Sequence, residues 1–396
     1  MQQLLLRDCW PLGPKRAADT NRRDGVDAPN MKRRRLPKAS QVEKSRVLKQ
    51  LNKLITVSEP VPTTSTIPEM ESTPSRPESR DDFRIAVFTA LTLEANAVKA
   101  LFDNPGGDSG RYGKAPGDFN TYTIGVLGGR NIVLVHLPRA GKSAAATAAA
   151  NCRASFPNIE RALVVGICGV VSTDMEGLEI VLGDVIISDN VIEHDLGRQI
   201  PGEFVRKNTL AESLPRSSAE ISSFLAKLKC DEDKQKLLRD MNMYLNLPRS
   251  KLNPLVPYPG VHNDRLFDAS YPCSNQGKPR DNCGCPDSKL VPRVRLRQPP
   301  QPEVHFGLVA SGDTVMKSEV DRDRIAQKED AIAFEMESAG IWEQFPSVVV
   351  IKGACDYADS HKTKLWQPYA AATAAACLKA FLRAWTPSMP SEPGMQ

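Results

Sequence analysis

The sequence predicts an α/β domain built on a mixed, largely parallel twisted sheet flanked by helices. Three observations predict it. Short runs rich in Val and Ile alternate with segments of helical spacing from Asp82 onward. The helical segments fall between strands rather than after a block of them, which is the βαβ rhythm of a parallel sheet. One pair of strands is joined at Gly128-Gly129, a hairpin signal that adds an antiparallel edge.

The elements follow in order. Ile85 to Ala90 reads as a buried strand, and Thr92–Phe102 as a helix after it. Tyr122–Val126 and Asn131–His136 read as the hairpin strands. Small residues from Gly141 to Phe156 predict a closely packed helix. Ala162–Val165, Asp184–Ile192, Phe306–Ala310 and Val348–Lys352 read as strands, and Glu337–Gln344 and Gln367–Trp385 as helices. Residues 207–301 interrupt this rhythm with polar helical sequence around Ala219–Leu245 and then a run rich in Pro, Asn and Gly. Such an insertion is expected on the surface. The domain is thus expected over residues 82–386, with a tail at 387–396.

Residues 1–81 are rich in Pro, Ser, Thr, Arg and Glu and poor in aromatics, so they read as mostly disordered. Gln41 to Ile55 has the spacing of a short amphipathic helix. The basic run Lys32 to Lys38 reads as a solvated tail or a nuclear import signal.

Composition excludes several classes. The 31 prolines exceed an average share of about 5% and cluster outside the periodic segments. The net charge of +5 comes largely from the first 40 residues, so no uniform nucleic-acid surface is implied. The opening MQQLLLRDCW is too polar for a signal peptide, and nothing reaches the length of about 18 apolar residues that a membrane span needs. Nine scattered cysteines without a secretory signal imply a reducing, intracellular, cytoplasmic setting. Cys273, Cys283 and Cys285 form a weak zinc pattern with no fourth ligand at standard spacing; they read as solvated loop cysteines, and no metal or cofactor is expected.

Arg139-Ala140-Gly141-Lys142-Ser143 resembles the end of a phosphate-binding loop. The pattern needs a glycine where His136 stands, so a triphosphatase is not supported. A tight turn into a helix N-terminus remains, and such a terminus can hold an anion.

Four stations carry more information. They are Ala90-Leu91-Thr92-Leu93-Glu94, then Val164 to Gly169 as a strand ending in a glycine turn, then Phe334-Glu335-Met336-Glu337 with Ser311 to Thr314 upstream, and Cys355 to Asp359 after a strand. All are expected at the carboxyl ends of strands, where α/β sheets bind ligands. Alone, each carboxylate is more often a helix cap or an ion-pair partner, and Asp359 reads as structural.

The segments DDFRIAVFTALTLEANAVKALFD, ALVVGICG, GDVIISD, SGDTVMKS, FEMESAG and CDYADSHK resemble the purine nucleoside phosphorylase/uridine phosphorylase superfamily. The likeness is closest to its methylthioadenosine/S-adenosylhomocysteine nucleosidases and to fungal nucleoside phosphorylase-like domains, and it covers roughly 82–385. It implies a single three-layer domain, a homodimer or higher homo-oligomer, and cleavage of a purine N-glycosidic bond. It also implies roles for individual residues. Glu94 would help activate water, and Asp356 would protonate the leaving base. Glu337 and Met336 would meet the ribose. Phe334, Ile167, Cys168 and Gly169 would line the base and sugar, and Val315 and Met316 would flank the adenine.

The departures from the family pattern narrow the reading. Val164 stands where the phosphorolytic branches place a phosphate-binding arginine, which favours water as nucleophile. Val315 replaces a stacking aromatic, Val170 a second glycine, Lys352 an arginine and Cys355 a serine. Arg139 replaces a small residue near the sugar. Arg139, Lys142, Arg198 and Lys317 are cations that could meet phosphates of a nucleotide. The alternatives to a nucleosidase are a purine nucleoside phosphorylase and a nucleoside-binding signalling module without turnover. No specific nucleic acid or membrane partner is expected.

Overall fold

The computed structural model describes residues 76–105, 109–209, 212–247, 256–273, 283–297, 301–345 and 348–385. The Gln41–Ile55 helix, the Lys32–Lys38 run and the 387–396 tail lie outside the described residues. In chain order the elements are β1 (Ile85–Thr89), α1 (Thr92–Ala100), β2 (Asn104–Pro105), β3 (Thr121–Leu127), β4 (Arg130–His136), α2 (Lys142–Ser155), β5 (Arg161–Val170) and β6 (Val185–Glu193). Then follow β7 (Gly197–Ile200), β8 (Glu203–Arg206), α3 (Ala219–Leu228), α4 (Asp231–Leu245), β9 (Val304–Ser311), α5 (Glu319–Glu329), β10 (Ala331–Glu335), α6 (Ser338–Trp342), β11 (Val348–Asp356) and α7 (Gln367–Ala384).

One sheet of nine strands, in the order β10-β9-β6-β11-β5-β1-β4-β3-β2, forms the centre. Strands β4, β1, β5 and β11 run parallel to one another, as do β6, β9 and β10, while β6 pairs antiparallel with β11. The β3–β4 hairpin turns at Gly128 and Gly129, both with left-handed φ of 57° and 72°, as a two-residue turn of this type requires. The sheet is therefore mixed and largely parallel, as the sequence predicts. Its far end curls: β10 also pairs antiparallel with the end of β5, through Ala333 with Val170 and Phe334 with Gly169. This closure brings the end of β10 against the end of β5.

Helices pack on both faces. α7 is almost wholly buried because its alanines allow close approach, and Phe381, Leu378 and Leu382 fill the remaining space. Glycine permits the same closeness at Gly353, where a Cβ would lie 2.0 Å from the Ala370 carbonyl oxygen.

Two expectations are corrected here. Residues Val164–Gly169 do not end a strand in a glycine turn. β5 continues through them to Val170, paired with β11 from Gly166–Lys352 to Cys168–Ala354 and, after a one-residue bulge on β11, at Gly169–Asp356. The 207–301 insertion is not confined to the surface either. Ile221, Leu225 and Leu228 of α3 and Leu237, Met241 and Tyr244 of α4 are buried in one cluster with α7. Their helical spacing makes an apolar stripe, and a stripe of that width must be covered. Farther on, the paired Arg295 reaches Asp184 at the start of β6, and Cys273, Cys283 and Cys285 are buried together rather than solvated. No helix among the described residues is long and apolar enough to cross a membrane.

Met241 is fully buried, so truncating it tests whether the insertion belongs to the core. Met241→Ala should cost about 2–5 kcal/mol in urea unfolding. A loss within about 0.5 kcal/mol, typical of a surface position, would return the insertion to the surface.

Candidate functional site

The site is built around a buried ammonium. Lys352 lies within β11, opposite Gly166 of β5, and is 1% exposed. Its Nζ donates to Glu337 Oε2 at 2.9 Å and lies 3.3 Å from Glu335 Oε2. Burial alone would lower the Lys352 pKa, but Glu337, Glu335 and Glu94 outweigh it and hold the pKa above the ordinary lysine value. Desolvation pushes the Glu337 carboxyl up, and Glu335 adds to that push against the pull of Lys352. Glu335 goes the other way despite burial, because Lys352 and Ser338 stabilise its charge. Ser338 donates from its hydroxyl to Glu335 Oε1 at 2.5 Å, which ties the end of β10 to the start of α6.

Glu94 sits in the first turn of α1 and is buried. Its Oε2 accepts from the backbone N–H groups of Ala90 and Leu91, and its Oε1 from that of Ile167. The carboxylate therefore caps its own helix and also reaches β5. Gly166 makes this possible, since a Cβ there would lie 2.1 Å from Glu94 Oε1. Gly169 plays the same part for the other end, where a Cβ would lie 2.7 Å from Asp356 Oδ1.

Asp356 closes β11 beside Gly169. Its Oδ1 accepts from the Ala358 N–H at 2.9 Å and lies 3.0 Å from Lys362 Nζ. Lys362 also donates to the Met316 carbonyl at 3.2 Å. A cavity beside Asp356 is lined by Leu182, Arg265, Asp359, Lys362 and Trp366 among others, and the Glu94–Glu337 cluster lies outside it. Cys168 stands between the two groups: burial first, and the charges of Asp356 and Glu335, push its thiol up against the pull of Lys352.

The structure thus brings Glu94, Ile167, Cys168, Gly169, Glu337 and Lys352 to one region of the sheet, with Asp356 and Met316 at its edge. Phe334 is buried and pairs with Gly169, and Met336 is half-buried at the turn before Glu337. Val315 is 49% exposed, so it stands at the rim. Arg139, Arg198 and Lys317 are exposed. Lys142 is corrected as a phosphate-facing cation: its Nζ donates to Glu193 Oε1 and Asp195 Oδ1 at 2.9 and 2.6 Å. The helix N-terminus it opens is also filled, because the Lys142 N–H donates to Asp313 Oδ1. Sequence reading missed Glu335 and Lys362. The strand-to-helix sequence Glu335 to Ser338 carries a signal for the first; nothing in spacing marks the second.

The family model described as Phosphorylase superfamily matches residues 84–245. The chain is similar to that superfamily over this stretch. A nucleotide-binding leucine-rich repeat (NLR)-like protein of Hyaloscypha variabilis is 33% identical over 310 residues, covering 76% of this chain and 29% of that protein. The chain thus spans less than a third of the length of that curated relative. Among solved structures, 5'-methylthioadenosine/S-adenosylhomocysteine nucleosidase from Neisseria meningitidis, in complex with methylthio-immucillin-A, is similar at 17% identity and TM-score 0.48, over 76% of this chain and 99% of that one. Futalosine hydrolase of Helicobacter pylori is similar at 16% identity and TM-score 0.45, over 76% and 97%.

The loop after Asp356 holds a second buried carboxyl. Burial, aided by the charge of Asp356, pushes Asp359 up to about 6. A folded pKa above the unfolded value of about 3.9 means the folded protein holds that proton more tightly. The stabilisation is present below pH ~4 and is lost as pH rises from about 4 to about 6. Asp359→Asn should therefore match the wild type near pH 4 and exceed it near pH 7 by about 2 kcal/mol in chemical unfolding. A difference that stays flat across this window would show that Asp359 is not a strained buried acid.

Proposed function

We propose that the domain cleaves the N-glycosidic bond of an adenine nucleoside or nucleotide, with water as nucleophile. The observation that carries this reading is the excess of buried carboxylate over ammonium. Among the described residues, Glu94, Glu335 and Glu337 cluster around Lys352. Glycosidic cleavage develops positive charge on the sugar, and a fixed, dry, negative site favours it. Glu337 would accept from ribose hydroxyls beside Met336, while Glu94, held by three backbone N–H groups, would orient water. Asp356 would give a proton to the purine as the base leaves, which neutralises the leaving group.

Water is favoured over phosphate by two further observations. Val164 is buried and apolar where phosphorolysis wants an arginine. Lys142, the nearest candidate cation by sequence, is already neutralised by Glu193 and Asp195.

A second reading, a module that binds a nucleoside without turning it over, is favoured by one contact. Lys362 Nζ lies 3.0 Å from Asp356 Oδ1 and competes with a purine nitrogen for that oxygen.

The test is incubation with adenosine, methylthioadenosine, inosine, AMP and ATP, with and without phosphate, following free base. Adenine should be released without phosphate. Asp356→Asn should bind nucleoside but lose turnover by about 10²–10⁴-fold, since an amide cannot give up a proton. Base release only with phosphate, with ribose 1-phosphate formed, would make the domain a phosphorylase. Binding without release by the wild type would leave the sensor reading standing.

A further inference from the structure

The fold brings three cysteines of the insertion against a histidine that lies far along the chain. Cys273, Cys283 and Cys285 come from the insertion, and His361 comes from the loop after Asp356. One ligand atom of each lies within 4.8 Å of all the others. We propose that these four residues form a structural zinc site that staples the insertion to the Asp356 loop.

Several independent features support it. Cys273, Cys285 and His361 are buried, and Cys283 stands at the edge of burial. The Sγ atoms of Cys273 and Cys285 are 3.7 Å apart. Two thiolates sharing a tetrahedral zinc at about 2.3 Å each would be separated by roughly 3.8 Å. Gly284, at a left-handed φ of 68°, turns the chain between Cys283 and Cys285.

His361 is set up as a ligand. Its Nε2 lies 2.8 Å from the Tyr271 carbonyl oxygen, so Nε2 carries the proton and donates it. Nδ1 then presents a lone pair, and it is buried with no hydrogen-bond partner among the described residues. A histidine whose second nitrogen donates to a backbone carbonyl is the usual arrangement around a bound metal. Phe267 stacks on the ring at 3.9 Å between centroids and fixes its plane. Arg265 donates to the Cys285 carbonyl at 2.6 Å.

Three thiolates and one imidazole in a tetrahedron leave no open position, which marks a structural rather than a catalytic zinc. The same loop is anchored again where the Cys273 N–H donates to Ser360 Oγ at 2.8 Å. The ion would thus hold the segment that carries Asp356 and Lys362, whatever reaction the domain performs.

The test begins with the full chain purified without chelator and assayed for metal by plasma mass spectrometry. About one zinc per chain is expected. Replacement by Co(II) should give the visible bands of a tetrahedral thiolate site. Cys285→Ser and His361→Gln should lose most of the metal, while Cys230→Ser, at an exposed cysteine outside the cluster, should keep it. Stripping with a strong chelator should lower the thermal midpoint. A wild-type chain that takes up no zinc on reconstitution would overturn the proposal. So would iron with labile sulfide, or a mapped disulfide between Cys273 and Cys283 or Cys285.

Discussion

Lys352 is the constraint on which the site depends. An ammonium that is 1% exposed cannot stand alone inside a protein, because its desolvation must be offset by charge. Glu335 and Glu337 supply that charge from the turn between β10 and α6, and Glu94 adds to it from α1. The cluster therefore joins three separate elements at the middle of the sheet. It also explains the closure of β10 onto β5: the paired strands carry the Glu335–Glu337 turn to the side of β11 where Lys352 lies. Three carboxyl groups surround one ammonium, and burial pushes the Glu337 carboxyl toward its protonated form. Such a crowded, desolvated cluster is costly for folding.

Glycine sets how close these groups come. Without a Cβ at Gly166, the Glu94 carboxylate sits directly on β5 and takes the Ile167 N–H as well as its own helix N–H groups. Without one at Gly169, Asp356 lies against the same strand farther along. A carboxylate with three fixed donors does not swing, so Glu94 is positioned before any ligand arrives. Asp356 is held differently, by the Ala358 N–H and by Lys362. Its neighbour Asp359 and the ring of His361 belong to the loop after Asp356, and Cys273, Cys283 and Cys285 of the insertion lie against that ring. The insertion is therefore part of the support for this end of the site.

Much of this was legible in the sequence. The Val- and Ile-rich runs gave the strands of the central sheet, and Gly128-Gly129 gave the hairpin. The small-residue helix at 142–155 and the alanine-rich α7 were readable because helices that pack closely need small side chains. Other parts were hidden for physical reasons. Gly166 and Gly169 read as a turn, because a glycine in a strand signals a break unless another element is known to press on it. β10 and α5 were missed: β10 is short, and α5 is so charged that it has almost no apolar stripe. The insertion's helices around Ala219–Leu245 were readable, but their many charged residues made them read as polar surface helices, although one apolar stripe completes the core. His361 lies so far along the chain from the three cysteines that spacing rules could not join them.

The claim that the buried cluster is one electrostatic unit is tested most directly by a double-mutant cycle. Lys352→Met and Glu337→Gln would be made singly and together and their unfolding free energies measured. Lys352→Met alone should cost about 3–5 kcal/mol, because it strands buried carboxylates. The double variant should recover part of that loss, giving a coupling of about 1–3 kcal/mol between the two positions. Single effects that simply add, within about 0.5 kcal/mol, would contradict the account.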